Sequence, residues 1–303
     1  MELKKAIEIF KLSSFPILCG DKITEFENSN NIRKDYVGNH LRAYLNWVEE
    51  DINFSDIPED TETVTYTDSE PYKAKTNIFY DKGIPCNEDI FETIDILESV
   101  LFAVKNKSFR MIEAGAGYGF WTAIAHRLCV FHEIKDFYAL GVEPEPTRVA
   151  MYHRHMLDNN IQDADIFLGI ISNSPCFFDF NIGNSYTAYG DSVQHSTGSH
   201  KIKVRGFSLQ ELLRKRDFWD ILDFDCQGAE ENCFDNCKNE LNKKVRKISV
   251  ATHSELADKK IPKIFSDWIE IWNFDSKTTS QTMFGTKDFV DGRKTYVNPA
   301  HEN

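Results

Sequence analysis

Hydrophobic positions change their spacing along the chain near residue 85. Before that point two segments carry helical spacing. One is roughly 2–12, the other 36–50, where Tyr36, Val37, Leu41, Tyr44, Leu45 and Val48 recur at three- and four-residue steps. From 51 to 83 Asp, Glu, Pro and Thr dominate, which predicts loop with one strand at TVTYT. Residues 1–85 are therefore read as a mainly helical appendage, either a lid over an active site or an oligomer contact. From 86 to 303 the pattern alternates. A helix over NEDIFETIDILESVLFAV leads to a strand at FRMIEA, a glycine-rich GAGYG and a helix over FWTAIAHRLCVF. Next come a strand at FYALGVEP, a helix after Pro146 ending near Asn159–Asn160, and a strand at DIFLGIIS. Beyond an irregular insertion at 173–206 lie a helix (SLQELLRKR), a strand (WDILDFD) and a helix (AEENCFDNCKNEL). VRKISVAT, a short helix, the strand DWIEIWNF and a last strand around 282–290 close the pattern. Strands alternating with helices predict an α/β fold with a doubly wound, mostly parallel, Rossmann-like sheet. In such sheets ligands lie beyond the carboxyl ends of strands, so the residues after FRMI, LGV, ILDF and ISVA are the place to look.

Composition narrows the function classes. The chain has 303 residues, with 35 Lys+Arg against 48 Asp+Glu, a formal charge of −13. That balance disfavours a broad nucleic-acid surface or an anionic membrane as partner, since both rely on clustered cations. No apolar run reaches the ~18 residues of a membrane span. MELKKAIEIFKLSSF lacks the apolar stretch and cleavage site of a secretory signal, so a cytoplasmic location is expected. The seven cysteines then read as reduced thiols, and Cys226, Cys233 and Cys237 contain no CxxC pair to suggest zinc.

The first strand ends in Glu113, followed by Gly115, Gly117 and Gly119. Glycines here let the backbone turn sharply and lie against a ligand. The third glycine comes two residues after the second, whereas the dinucleotide fingerprint spaces it three after. Glu113 would repel a pyrophosphate but suits a ligand bearing an ammonium and a sulfonium. The second strand ends in Glu143-Pro144, where an acid can accept hydrogen bonds from both ribose hydroxyls. Either glutamate alone reads as a solvent-facing loop charge. Together, flanking a glycine-rich turn, they predict an adenosine-type cofactor, S-adenosyl-L-methionine in preference to NAD; an NAD-dependent oxidoreductase is the alternative.

The third strand end carries Asp223, Asp225, Gln227 and Glu230. Alternation puts Asp223 and Asp225 on one side, with Asp225 at the carboxyl end and Glu230 opening the next helix. Asp225 is a candidate catalytic group and Glu230 a candidate substrate contact; helix capping accounts for the same residues structurally. His253 ends the following strand, where a neutral imidazole could take a proton from an attacking hydroxyl. The trio Asp225, Glu230 and His253 could alternatively gather Mg²⁺, though no metal is favoured. In 173–206, Tyr186, Tyr189, His195 and His200 are candidate contacts for a polyhydroxylated acceptor, against the plainer reading of a solvated hairpin.

Three stretches, IEAGAGYGFWT, GVEPEPTRVAMYHRHMLDNN and FSLQELL…WDILDFDCQGAEENCF, resemble the FkbM-type S-adenosylmethionine-dependent methyltransferases. Those show a DxGANxG-like turn, an (F/V)EP strand end and a DxEGxE block, in this order. The resemblance runs from about 88 to about 275 and leaves residues 1–85 unaccounted for. Glu113 stands where Asp is common, Gly117 where Asn is, Asp223 where Lys is, and Gln227 where Glu is. These departures leave the cofactor turn recognisable and bear on the substrate side. The resemblance implies a class I methyltransferase fold and methyl transfer to a hydroxyl of a sugar or other small polyhydroxylated metabolite or glycan. It also implies cofactor contacts at Glu113, Gly115, Gly117, Gly119, Glu143 and Pro144. A non-catalytic binding protein on this fold is the other alternative.

Overall fold

The computed structural model describes residues 89–303 apart from 174, 183–199, 235 and 303, together with two short strands, β1 (Ile32–Lys34) and β2 (His40–Arg42). These two pair antiparallel. The helical spacing over 36–50 is thus corrected at His40–Arg42; Gly38-Asn39 just before it is a turn signal that competes with the periodicity. The other expectations within 1–85 lie outside the described residues.

Six parallel strands form the body of one nine-stranded sheet: β3 (Ser108–Ala114), β4 (Asp136–Glu143), β5 (Ala164–Ile171), β7 (His200–Phe207), β8 (Trp219–Phe224) and β9 (Val245–Thr252). Three strands joined through antiparallel pairing complete it: β6 (Phe177–Ile182) at one edge, and β13 (Gly292–Val297) followed by β10 (Ile269–Phe274) at the other, with β6 and β13 running against the body and β10 along it. The order is β10-β13-β9-β8-β3-β4-β5-β7-β6. The chain runs outward from β3 through β4 to β5, then returns to place β8 beside β3. Strand order therefore reverses between β3 and β8, the position where a crevice opens in sheets of this class.

The helices are α1 (Asp89–Ala103), α2 (Phe120–Phe131), α3 (Pro146–Asp158), α4 (Leu209–Leu213), α5 (Glu230–Cys233), α6 (Lys238–Lys244) and α7 (Glu255–Ile264). Side-chain alternation in β3 shows why two layers form. Phe109 and Met111 join a core with α1, α2 and α3, whereas Ile112 and Ala114 join a core with α4, α6 and α7. Strands buried on both faces read as near-continuous apolar runs, which is the sequence pattern of β4, whereas β8 and β9 are equally buried but interrupt the run with Asp220 and Asp223 and with Arg246 and Lys247.

Four elements differ from expectation. The helix over AEENCFDNCKNEL is split into α5 and α6, with Asn236 in a turn between them. The segment 173–206 supplies β6 and most of β7, both of which join the sheet. The strand around 282–290 is a separate hairpin of β11 (Thr278–Thr282) and β12 (Gly285–Phe289). β13 was not foreseen at all, because its Arg293, Lys294 and Thr295 look solvent-facing. All three are buried. Arg293 pairs with Glu92 of α1 at 2.7 Å, Lys294 with Asp275, and Thr295 donates to Asp95 at 2.6 Å. Buried cations are tolerated only with such partners.

Candidate active site

The glycine-rich turn sits at the reversal point, and its glycines do different work. Gly115, Gly117 and Gly119 have φ of 79°, 52° and 78°, a region costly for residues with a Cβ. A Cβ on Gly115 would come within 1.8 Å of the Asp225 carbonyl oxygen, so the turn lies directly against the end of β8. A Cβ on Gly119 would strike the Tyr152 ring at 2.6 Å. A Cβ on Gly117 would meet nothing within 4 Å among the described residues, so this is the open face of the turn, where a flat ligand can approach the backbone.

Glu143 lies against that face. Its Oε2 accepts from Gly117 N at 2.9 Å, and its Oε1 accepts from Glu145 N at 2.9 Å. Burial pushes its pKa up, opposed by Arg148 and by these amides. Pro144, half-buried, carries the chain from β4 towards α3, whose first amides are capped by Glu145. Glu113 is placed differently from the reading that aims it at a cationic ligand. It is buried beneath the turn, where Oε1 accepts from Trp121 N at 3.2 Å and Oε2 from Thr122 N at 3.0 Å and Thr122 Oγ1 at 2.5 Å. It thus satisfies the orphan amides opening α2, a task Gly119 has no side chain to perform. Burial pushes its pKa up to about 8 against these donors, and Asp223, its register partner on β8, adds to the rise.

On the other side of the seam, Asp225 follows β8 with its amide donating to Ala114 O at 2.8 Å. Its Oδ1 accepts from Gln227 Nε2 at 2.9 Å and lies 3.1 Å from His253 Nε2, while the side chain stays 38% exposed. Glu230, expected as a substrate contact, is fully buried instead. Its carboxylate accepts from Cys226 N at 2.8 Å and Gly228 N at 2.9 Å, and from His253 Nδ1 at 3.0 Å. It stabilises the left-handed backbone at Gln227 and Gly228 (φ 52° and 104°) and orients His253. Asp291, which the sequence did not single out, brings Oδ1 within 3.6 Å of His253 Nε2. It precedes the unforeseen β13, so only recognition of that strand could have brought it to the site.

His253 is therefore ringed by acids on both nitrogens. Burial alone would lower its pKa, but Asp225 and Glu230 raise it to about 10. The neutral imidazole expected of a proton acceptor is corrected: at neutral pH this ring is an imidazolium. Because the folded value lies above the ordinary 6.5, its contribution to stability is fully present below pH 6.5 and is lost as pH rises through about 10. The buried acids Glu113 and Asp223, raised to about 8 and about 7, also lower stability as they ionise, but earlier in the titration. The His253 share is read from the difference between the wild type and His253→Gln. That difference in thermal midpoint is expected to shrink steadily as pH climbs from neutrality towards about 10.

Ligand atoms of Asp225, Glu230 and His253 lie within 4.8 Å of one another, so a divalent ion would fit there only by displacing the imidazolium proton. Tyr186, Tyr189 and His195 lie outside the described residues, as does the side chain of His200. Among the described residues, no helix is long and apolar enough to cross a membrane.

Comparison with known proteins adds the following. A family model described as the methyltransferase FkbM domain matches residues 113–275. No curated protein matches the chain in sequence. Among solved structures, the methyltransferase FkbM from Methylobacillus flagellatus KT is 12% identical with a TM-score of 0.41, covering 63% of this chain and 44% of its own. This chain thus spans less than half the length of that structure. A precorrin-6y C5,15-methyltransferase from Geobacter metallireducens GS-15 is 8% identical (TM-score 0.37, covering 66% of this chain and 87% of that one). A METTL16 methyltransferase domain is 10% identical (TM-score 0.39, covering 68% and 67%).

Proposed function

The chain belongs to the FkbM methyltransferase family, and we propose that it transfers the methyl group of S-adenosyl-L-methionine to a hydroxyl of a sugar or another small polyhydroxylated metabolite. The observation carrying this reading is the hydrogen bond from Gly117 N to Glu143 Oε2. It joins the open face of the turn to an acid at the next strand end, so a nucleoside laid on Gly117 would meet a carboxylate at its ribose. Each oxygen of Glu143 has an amide partner and a further lone pair for a hydroxyl. When bound, the cofactor supplies an electrophilic methyl group on a sulfonium.

The residues on the facing side hold the acceptor. Among the described residues the partners of Asp225 fall on Oδ1, which leaves Oδ2 to receive a hydroxyl hydrogen bond and then the proton released as the C–O bond forms. His253 does not remove that proton. Its positive charge keeps Asp225 ionised, holding the Asp225 pKa low against its partial desolvation, and fixes its rotamer. Glu230 in turn fixes His253. Most of the catalytic effect in this arrangement is alignment of oxygen, methyl carbon and sulfur. A neutral polyol suits a rim carrying Asp225 and Asp291 better than a phosphate backbone does, and the overall charge of −13 points the same way.

The test is turnover of S-adenosyl-L-methionine against a panel of free sugars, glycosides and short RNA, with products read by mass spectrometry. Methylated sugar or glycoside is the expected product. Methylated RNA with no sugar product would replace the acceptor class, and no S-adenosylhomocysteine formed with any acceptor would favour a binding protein.

A further inference from the structure

His155 is a buried titratable group that the chemistry above leaves without a task. It lies in the last turn of α3, 1% exposed, with Nδ1 2.9 Å from the carbonyl oxygen of Tyr118. A carbonyl only accepts, so Nδ1 carries the proton and donates it. Burial lowers the pKa of the ring to about 4, which keeps it neutral. Nε2 is then a buried lone-pair nitrogen, with no hydrogen-bond partner among the described residues. An orphaned lone pair is unfavourable, so an apolar residue of similar size would pack there at lower cost. What the imidazole adds is the bond to Tyr118.

That bond acts on the glycine-rich turn. Tyr118 stands between Gly117 and Gly119, both with positive φ. The amide that a helix would aim at the Tyr118 carbonyl, Thr122 N, donates to Glu113 instead. On one side Gly117 N is held by Glu143, the last residue of β4; on the other, Tyr118 O is held by His155 of α3, the helix that follows β4. One strand–helix unit therefore grips the turn at two consecutive residues.

We propose that His155 is a positioning residue for the cofactor turn: by donating to Tyr118 it holds the open face of Gly117 in register with Glu143. This rests on the S-adenosyl-L-methionine reading above and adds a residue to it. His155 touches none of the reacting atoms, so it acts on cofactor affinity and not on the methyl-transfer step.

The test uses the full chain, S-adenosylhomocysteine as probe, and calorimetry on wild type, His155→Asn, His155→Gln and His155→Leu. Asparagine offers an N–H near the place of Nδ1, glutamine offers one near Nε2, and leucine offers none. The dissociation constant is expected to stay within about twofold for Asn and to weaken about tenfold for Gln and Leu. Thermal midpoints of the unligated variants are recorded beside it. If Asn weakens binding as much as Leu, or if all three variants bind like wild type, the proposal is overturned. If Leu does not fold, the comparison of Asn with Gln decides alone. Absence of binding to folded wild type would remove the cofactor reading itself, an outcome seen before any variant is made.

Discussion

Replacing Glu143 with alanine is expected to weaken S-adenosylhomocysteine binding by about a hundredfold or more and to lower the thermal midpoint by several degrees. Both effects have one origin. The carboxylate accepts from two backbone amides, Gly117 N and Glu145 N, in a setting where Glu143 is only 2% exposed. Truncation leaves both donors without their acceptor, at about 1–3 kcal/mol for each buried group. For a domain of this size about 1 kcal/mol corresponds to roughly 2–4 °C in midpoint. The affinity loss adds the ribose contacts to the displacement of Gly117, and about 2.7 kcal/mol is a hundredfold. Glu143→Gln should fall between the two, since its carbonyl oxygen can serve one amide while its NH2 opposes the other. Calorimetry and thermal denaturation on the same samples separate the contributions. Binding by Glu143→Ala equal to that of wild type would remove this acid from the cofactor site.

The second large effect is expected at Asp225. Asp225→Asn keeps the shape of the side chain but removes the charge and the capacity to take a proton. Turnover should fall about a hundredfold, the usual loss when a positioned acid–base group is removed, while S-adenosylhomocysteine affinity stays within about threefold. A second signature follows from the ion pair at 3.1 Å. Without the Asp225 charge, His253 keeps Glu230 as its nearest acid and its pKa should drop below about 10, observable by NMR of the imidazole protons. Unchanged turnover with a lowered His253 pKa would assign the proton to another acceptor and leave Asp225 a purely positioning role.

How much of this was legible in the sequence depended on which force decides each element. β4 was visible because burial on both faces demands a continuous apolar run, β3, β8 and β9 because shorter apolar stretches (MI, IL and ISVA) stand in them, and the glycines after β3 because positive φ at three close positions admits little else. The alternation of these strands with α2 and α3 was enough to predict the doubly wound sheet and to direct attention to Glu143, Asp225 and His253. β13 was illegible for the opposite reason. Its buried Arg293 and Lys294 are neutralised by Glu92 of α1 and by Asp275, partners far away along the chain, and hydropathy has no means of registering a distant counter-charge. The same limit explains the site. That Glu113 and Glu230 turn into the protein to satisfy backbone amides, and that His253 is charged, follows from three-dimensional neighbours and not from residue type.

Titration calorimetry of the wild-type chain with S-adenosylhomocysteine tests the central claim most directly. The account predicts saturable binding of one molecule per chain, strongly reduced in Glu143→Ala. A folded protein giving no binding heat at any temperature tried, and no shift in thermal midpoint with the same compound, would contradict it.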